Sequence, residues 1–277
     1  MRLLAISDLH LAAPQNREAL EALPPHPGDW LIVAGDVAER LDLVDRALGL
    51  LAARFDRVFW VPGNHELWTV AREGPDAARG MARYDRLTAI ARSHGVVTPE
   101  DGFPEWPGPL PAGVSRLLIV PLFLLYDYSF RPADVALADV VAWADEAHNV
   151  CADELHLLPD PYSSRPDWCR ARLDETRHRL ARELPADAHT VLVNHWPLRR
   201  DLVRIPRVPR FTPWCGTTET EDWHRRYRAH AVVSGHLHTR RTDLVDGTRF
   251  EEVSLGYPRQ WDHSRGCAGY LRTILPG

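Results

Sequence analysis

Apolar and polar positions along this chain repeat one unit: a short run rich in apolar and β-branched residues, then a polar loop. Leu3-Leu4-Ala5-Ile6 runs into Ser7-Asp8-Leu9-His10, and Trp30-Leu31-Ile32-Val33 into Ala34-Gly35-Asp36. Arg57 to Val61 runs into Pro62-Gly63-Asn64-His65-Glu66. The same unit recurs at Thr190–Val193 before Asn194-His195, and at Ala231–Ser234 before Gly235-His236-Leu237-His238. Such short runs predict buried strands. Between the first three, the spacing predicts helices near Asn16–Ala22, over Leu41–Arg54 and over Asp76–Ser93, the last stopped by Gly95. Leu43, Ala47, Leu50 and Leu51 supply the apolar face of the second helix. Strand–helix alternation predicts an α/β fold, whose strand C-termini converge on one crevice.

The remainder is less regular. Residues 99–115 are rich in Pro and Gly and predict a surface loop or short hairpin, followed by a strand over Arg116–Pro121. Within 122–188, Leu137–Val150 and Asp167–Glu183 have helical patterns, separated by the proline-containing stretch Asp153–Pro166. This region reads as a helical insertion or cap beside the crevice, either a substrate lid or a peripheral pair of helices, with the peripheral reading preferred. Strands over 240–246 and 248–255 flank Asp246-Gly247, and a last strand covers 268–275. No linker-like shift or internal repeat divides residues 1–277, which predicts a single domain.

The polar loops carry the chemistry. Asp8 and His10 stand at alternate positions, which on an extended chain face one side and chelate one ion together. Asp36 has two oxygens with which to bridge two cations, and Asn64 has a neutral carbonyl oxygen. His195, His236 and His238 supply imidazoles suited to Zn, Fe, Mn or Ni. A lone histidine is more often an ordinary core or loop residue. Seven ligand-type residues on five strand ends are a different case, because buried polar groups without partners are costly.

The set D-x-H, G-D, G-N-H-E, H and G-H-x-H, spread from Asp8 to His238, resembles the calcineurin-like metallophosphoesterase superfamily. The resemblance implies a four-layer α/β/β/α sandwich and a binuclear centre of divalent or mixed-valence ions, Mn, Fe or Zn. Asp8, His10, Asp36 and His238 resemble its first metal site; Asp36, Asn64, His195 and His236 resemble its second. Two cations about 3.5–4 Å apart suit phosphoester hydrolysis, polarising the phosphate and supplying a bridging hydroxide as nucleophile near neutral pH. His65 resembles the family's catalytic histidine, which contacts phosphate and helps protonate the leaving oxygen. Neighbouring residues point apart, so His65 is not read as a ligand beside Asn64. Glu66 is left between two roles, a carboxylate orienting a ligand and an acid at a helix N-terminus.

Two departures place the chain within that superfamily. Purple acid phosphatases have a tyrosine ligand where Glu39 stands, and a glycine where His10 stands. The pattern is closer to the branch with cyclic-nucleotide phosphodiesterases and DNA-repair nucleases.

Composition narrows the substrate. Of 277 residues, 45% are hydrophobic and 26% charged, as in an ordinary globular protein, and the net charge of −5 carries no overall basic footprint for nucleic acid. No apolar stretch reaches the roughly 18 residues of a membrane span. Cys151, Cys169, Cys215 and Cys267 are widely spaced, and with no export signal the expectation is reduced thiols and a cytoplasmic location. After His195 comes a loop with Arg199, Arg200, Arg204, Arg207 and Arg210, with Phe211 and Trp214 nearby. Read functionally, Arg199, Arg204, Arg207, Arg210 and Trp214 form an anion-binding rim with a stacking surface. Read plainly, the loop is solvated, and arginine is simply the only strong base in a chain without lysine. Tyr257, Trp261 and His263, and Tyr126-Asp127-Tyr128, are further candidates for lining the cleft.

The leading expectation is a metal-dependent phosphomonoesterase or phosphodiesterase acting on a small organic phosphate or nucleotide. A nuclease on the same core comes second, disfavoured by the acidic charge balance. A non-catalytic scaffold comes third, disfavoured because no ligand position is degenerate.

Overall fold

The computed structural model describes residues 1–70, 74 and 77–276. The described residues form two sheets. The first has strands β1 (Leu3–Ile6), β2 (His26–Val33), β3 (Phe55–Trp60) and β9 (Arg272–Leu275), in the order β3-β2-β1-β9. The second has β4 (Leu117–Pro121), β5 (His189–Val193), β6 (Ala229–Ser234), β7 (Thr242–Val245) and β8 (Thr248–Glu252), in the order β4-β5-β6-β8-β7. Within each sheet the strands run parallel, except for β9 and β7 at one edge. The strands that precede the polar motifs therefore end on the same edge of their sheets.

The period of two along each strand makes the layers. Leu3, Ala5, Ile32, Phe59, Ile119, Val191, Val193, Ala231 and Val233 form one buried cluster between the sheets. The alternate residues Leu4, Ile6, Leu31, Val33 and Val58 pack outward, with helices α1 (Pro14–Glu21), α2 (Leu41–Ala52) and, after the short α3 (Asn64–Leu67), α4 (Gly80–Ser93). On the other side Leu118, Val120, Leu192, Val232 and Phe250 share a cluster with Trp168, Leu173 and Leu180 of α7 (Arg165–Glu183), which follows α5 (Val140–Asp145) and α6 (Asp153–His156). Trp223 of α8 (Trp223–Arg226) joins the same cluster. Helix, sheet, sheet and helix give the four layers expected.

Several elements differ from expectation for local reasons. β2 begins at His26 rather than Trp30, where the His26 ring stacks on Phe55 of β3 at 4.8 Å. The buried stripe of α2 is Val44, Ala47, Leu48 and Leu51; Leu43 and Leu50 are only partly buried. The predicted helix over 137–150 shrinks to a 3-10 turn at 137–139 and α5, which ends at Asp145, three residues before the left-handed His148 (φ 54°). The predicted helix start at Asp76 lies outside the described residues, and α4 begins at Gly80.

The segment 122–188 contains three helices that sit differently in the fold. α7, capped by Ser164 accepting from the backbone N–H of Asp167, belongs to the outer helical layer. The stretch before it, containing α5 and α6, reaches the edge where the strands end. There the backbone N–H of Thr69 donates to the carbonyl of His156 at 2.9 Å.

Candidate metal centre

The loops that leave β1 and β2 are zipped together: the N–H of Asp8 donates to Gly35 O at 2.9 Å, and that of His10 to Asp36 O at 3.0 Å. Asp8 and His10 do not lie on extended chain as expected. Asp8, His10, Asp36, His236 and His238 all have φ between 43° and 72°. Left-handed backbone at non-glycine residues costs on the order of 1–3 kcal/mol each and persists where the surroundings over-determine it. Five such residues on one edge aim their side chains into one space.

Two glycines let the loops meet. A Cβ on Gly63 would lie 2.1 Å from Asp36 Oδ1, and one on Gly35 (φ 85°) would lie 2.6 Å from Gly63 N. Glu66 then fastens the same loops, accepting N–H bonds from Asp36 (2.9 Å), Val37 (2.9 Å), Gly63 (3.0 Å) and the Trp60 indole (3.3 Å). It is both the acid in the first turn of α3 and the carboxylate orienting the Asp36 loop. From α4, buried Arg83 donates to the carbonyls of Glu66 and Glu39.

The side chains converge in three overlapping groups of metal-competent atoms, each within 4.8 Å: Asp8 with His10 and His238, His10 with Asp36 and His65, and Asp8 with Asp36 and His195. Asn64 Oδ1 lies 3.2 Å from His195 Nε2, and the His236 ring stands beside His195 with centroids 5.1 Å apart. All seven residues read as ligands are thus gathered at one place, together with His65. His65 and Asn64 both face the site although they are neighbours, because they sit on the first turn of a helix rather than on a strand. His65 Nε2 is 3.8 Å from Asp36 Oδ2.

Hydrogen bonds at the far ring nitrogens set which nitrogen faces inward. His195 Nδ1 donates to Ala34 O at 2.8 Å, His238 Nδ1 to Gln260 Oε1 at 2.8 Å, and His65 Nδ1 to Glu39 Oε1 at 2.7 Å. Glu252 holds the G-H-x-H loop, accepting from the N–H groups of His238 (3.1 Å) and Thr239 (2.9 Å). Asp8 Oδ2 accepts from the hydroxyls of Ser7 (2.5 Å) and Ser254 (2.7 Å). Aromatic rings stack on three of the histidines: Tyr257 on His10 (4.2 Å), Phe211 on His236 (5.6 Å) and Trp68 on His65 (3.9 Å).

The electrostatics call for cations. Burial opposes ionisation of Asp8, but His238, His195 and His10 outweigh it and hold the carboxyl well below its usual range. Burial, then Asp8 and Glu66, push Asp36 well above it. Burial lowers His195 to about 4 and takes His10 and His236 well below the ordinary imidazole value. His195 is therefore neutral near pH 7, and its inward Nε2 lone pair faces Asn64 Oδ1 and, at 3.5 Å, Asp36 Oδ1. His236 Nε2 and His10 Nδ1 are buried without a hydrogen-bond partner. Acceptors facing acceptors in a buried site fit divalent cations, and imidazole, carboxylate and amide oxygen are ligands that Mn, Fe and Zn accept.

The residues expected to read the substrate divide differently. A cleft of about 320 Å³ opens at Asp36, Asn64, His65, His236 and His238, with Tyr257 and Gln260 on one side and Ile205, Val208 and Phe211 on the other. The loop after His195 therefore lines the cleft with its apolar side chains, not its arginines. Arg199 is forked onto Asp201 and donates to Glu221 O. Arg210 turns away to Glu146 and the Trp143 carbonyl. Arg204 and Arg207 point to solvent. Trp214 offers no stacking surface, because it is fully buried with its indole N–H on Glu154 at 2.8 Å. Trp261 packs in the core, His263 is exposed, and Tyr126 is buried, so of these Tyr257 alone reaches the cleft. Sequence reasoning missed Glu39 as the partner of His65, as well as Asp153, Glu252 and Gln260. Only Glu252, a second acid ending the apolar-flanked strand β8, had a local signal.

The cysteines Cys151, Cys169, Cys215 and Cys267 are all buried and free. No helix of the described residues is long and apolar enough to cross a membrane.

Comparison with known proteins agrees with this geometry. Residues 1–240 match the family model of calcineurin-like phosphoesterases. The [Acyl-carrier-protein] phosphodiesterase PptH of Mycobacterium tuberculosis is 50% identical over 99% of this chain and 83% of its own length. The crystal structure of phosphopantetheinyl hydrolase (PptH) from that organism superposes with a TM-score of 0.92, covering 100% of this chain and 96% of the other. The chain belongs to the calcineurin-like phosphoesterase family and is a metal-dependent phosphoester hydrolase.

Proposed function

We propose that this enzyme cleaves the phosphodiester between a phosphopantetheinyl group and an acyl carrier protein. The observation that carries the reading is its 50% identity with PptH across nearly the whole chain, with the cleft included in that span. A protein-borne diester takes the place of the small organic phosphate or nucleotide expected from sequence. The cleft suits it: the histidines and Asp36 take the phosphate end, and Ile205, Val208, Phe211 and Tyr257 form a wall for an aliphatic arm.

In this reading Asp8, His10, Asp36 and His238 hold one cation, and Asp36, Asn64, His195 and His236 hold a second, drawn from Mn, Fe and Zn. When bound, the cations supply Lewis acidity toward the phosphate oxygens and lower the pKa of a water. The chain's own residues do the rest. Asp36, held by the Glu66-bound loop, would be the carboxylate shared by the two positions. His65, with Nδ1 committed to Glu39, carries its Nε2 toward the cleft and gives a proton to the departing oxygen. The apolar wall excludes water and orients the arm beyond the phosphate. The chain is read as one domain, with residues 122–188 as a helical insertion whose α7 packs in the outer layer.

The test is incubation of the Mn²⁺-loaded enzyme with phosphopantetheinylated acyl carrier protein, followed by intact-protein mass spectrometry. Conversion to the unmodified carrier protein is expected. A carrier protein left intact by an enzyme that hydrolyses simple aryl phosphodiesters overturns the substrate and leaves the phosphoesterase standing.

A further inference from the structure

Asp153 is the first residue of α6, in the stretch between β4 and α7 that the repeating strand–loop unit does not explain. It is fully buried. A single oxygen, Oδ1, accepts from Asn64 Nδ2 at 2.9 Å and from the Trp68 indole N–H at 2.6 Å. We propose that Asp153 is a positioning residue that fixes two parts of the centre from outside it: the amide of Asn64 and, through Trp68, the ring of His65.

The chemistry of the amide makes the first part directional. Asn64 can present either its oxygen or its NH₂ group to the site, and the two differ little in shape. Because Oδ1 already accepts from the Trp68 indole, it acts as an acceptor toward Asn64 as well and holds the NH₂ group outward. The carbonyl oxygen is left facing His195 Nε2 at 3.2 Å, where a ligand oxygen is needed. With the amide reversed, an N–H would face the cation.

The second part runs through an aromatic plane. The Trp68 ring lies on His65 with centroids 3.9 Å apart and planes 30° apart. Its other edge is tied to Asp153, and His156, also on α6, lies 5.2 Å from it. Glu39 fixes one ring nitrogen of His65, but a single hydrogen bond leaves the imidazole free to tilt about it. The stacked indole removes that freedom. The stretch carrying α6 is thereby coupled to both the binding and the proton-transfer residues.

The inference rests on the reading of Asn64 as a metal ligand and His65 as the acid. The experiment compares Asp153→Leu, Trp68→Phe, Asn64→Asp and the exchanged pair Asp153→Asn/Asn64→Asp with wild type. Melting temperature, Mn²⁺ retained after desalting (by elemental analysis) and kcat on an alkyl phosphodiester, whose departing alcohol needs a proton, are measured for each. Losing a partner that orients a ligand typically costs ~10–100-fold in metal affinity or activity. Asp153→Leu is expected to lose Mn²⁺ retention and kcat on that scale. Trp68→Phe is expected to keep its Mn²⁺ and lose kcat alone. Asn64→Asp alone sets two carboxylates against each other and is expected to bind Mn²⁺ weakly. In the exchanged pair the hydrogen bond to α3 reverses, the amide introduced on α6 donating to the carboxylate introduced at position 64, and Mn²⁺ retention is expected to return to near wild type. Its kcat is expected to stay low, because the same NH₂ group then faces the Trp68 indole N–H and that bond is lost. The recovery of Mn²⁺ retention separates positioning from general support of the fold. If Asp153→Leu fails to fold, the exchanged pair and Asn64→Asp still decide the matter, since no recovery between them overturns the proposal. Wild-type Mn²⁺ retention and kcat in a folded Asp153→Leu overturn it too. A wild-type protein that retains no Mn²⁺ instead overturns the reading of the centre itself.

Discussion

His195 Nε2 and Asn64 Oδ1 face each other across 3.2 Å, acceptor to acceptor. The His195 proton is committed to Ala34 O, and burial keeps the ring neutral near pH 7. Removing the cations leaves this opposition in a buried site, where an unsatisfied polar group costs about 1–3 kcal/mol. A ligand that binds only the folded state raises its stability by mass action. Exhaustive chelation is therefore expected to abolish hydrolysis and lower the melting temperature, and Mn²⁺ to restore both. Thermal denaturation with and without chelator checks this, and activity together with a melting temperature indifferent to chelation would refute it.

Asp36 is expected to be irreplaceable, and Gly63 nearly so. Asp36→Ala removes the one carboxylate placed between both proposed positions, and should abolish hydrolysis and empty at least one of them. Gly63→Ala leaves every ligand in place but sets a methyl 2.1 Å from Asp36 Oδ1. The backbone here is packed against the Asp36 loop, so Asp36 must shift. Gly63→Ala is expected to lose metal and activity in a folded protein, as measured by elemental analysis and circular dichroism. Two ions bound in either variant, with full activity, would sink the bridging role.

The residues proposed as ligands could be picked out because each is a metal-competent type placed directly after a strand, and the strands announce themselves by composition. How those side chains come together was not legible. Asp8 and His10 look like an extended pair, yet both turn left-handed, a conformation decided by the Gly35 and Asp36 carbonyls on another loop. Glu39, Asp153 and Gln260 act on histidines and an asparagine far away in sequence, and no periodicity marks such a partner. Trp214 shows the reverse error. An aromatic residue beside a ligand loop suggests stacking, but burial is a property of the whole fold, and the residue is packed within the core.

His65→Ala is expected to keep the metals and lose rate. Its ring lies at the lip of the cleft with Nδ1 held by Glu39, leaving Nε2 to serve as the acid. General-acid contributions are typically ~10²–10⁴-fold. The loss should be largest for diesters with poor alcohol leaving groups and small for nitrophenyl esters, whose leaving group needs no proton. Rates across a series of leaving groups, with metal content measured in parallel, check the assignment. Metal loss as deep as in Asp36→Ala would make His65 a ligand instead.

Specificity is expected to reside in the apolar members of the loop after His195, with its arginines acting at longer range. Val208 and Ile205 line the cleft, whereas Phe211 also stacks on His236 and is a poorer probe. Val208→Asp places a charge where the aliphatic arm is proposed to lie. It should raise KM for phosphopantetheinylated carrier protein about tenfold or more, the effect of roughly 1.4 kcal/mol of lost contact. An aryl phosphodiester, which has no such arm, should be cleaved as before. Arg204 and Arg207 stand outside the cleft, exposed on the same loop. Replacing both with Ala should leave the aryl substrate untouched and raise KM only for the protein-borne one, more at low salt than at high, because exposed charges are screened over about 10 Å at 0.1 M. Steady-state kinetics on both substrates at two ionic strengths separates the two effects. Equal changes on both substrates would mean that the loop supports the metal centre, and no change on either would return it to solvated surface.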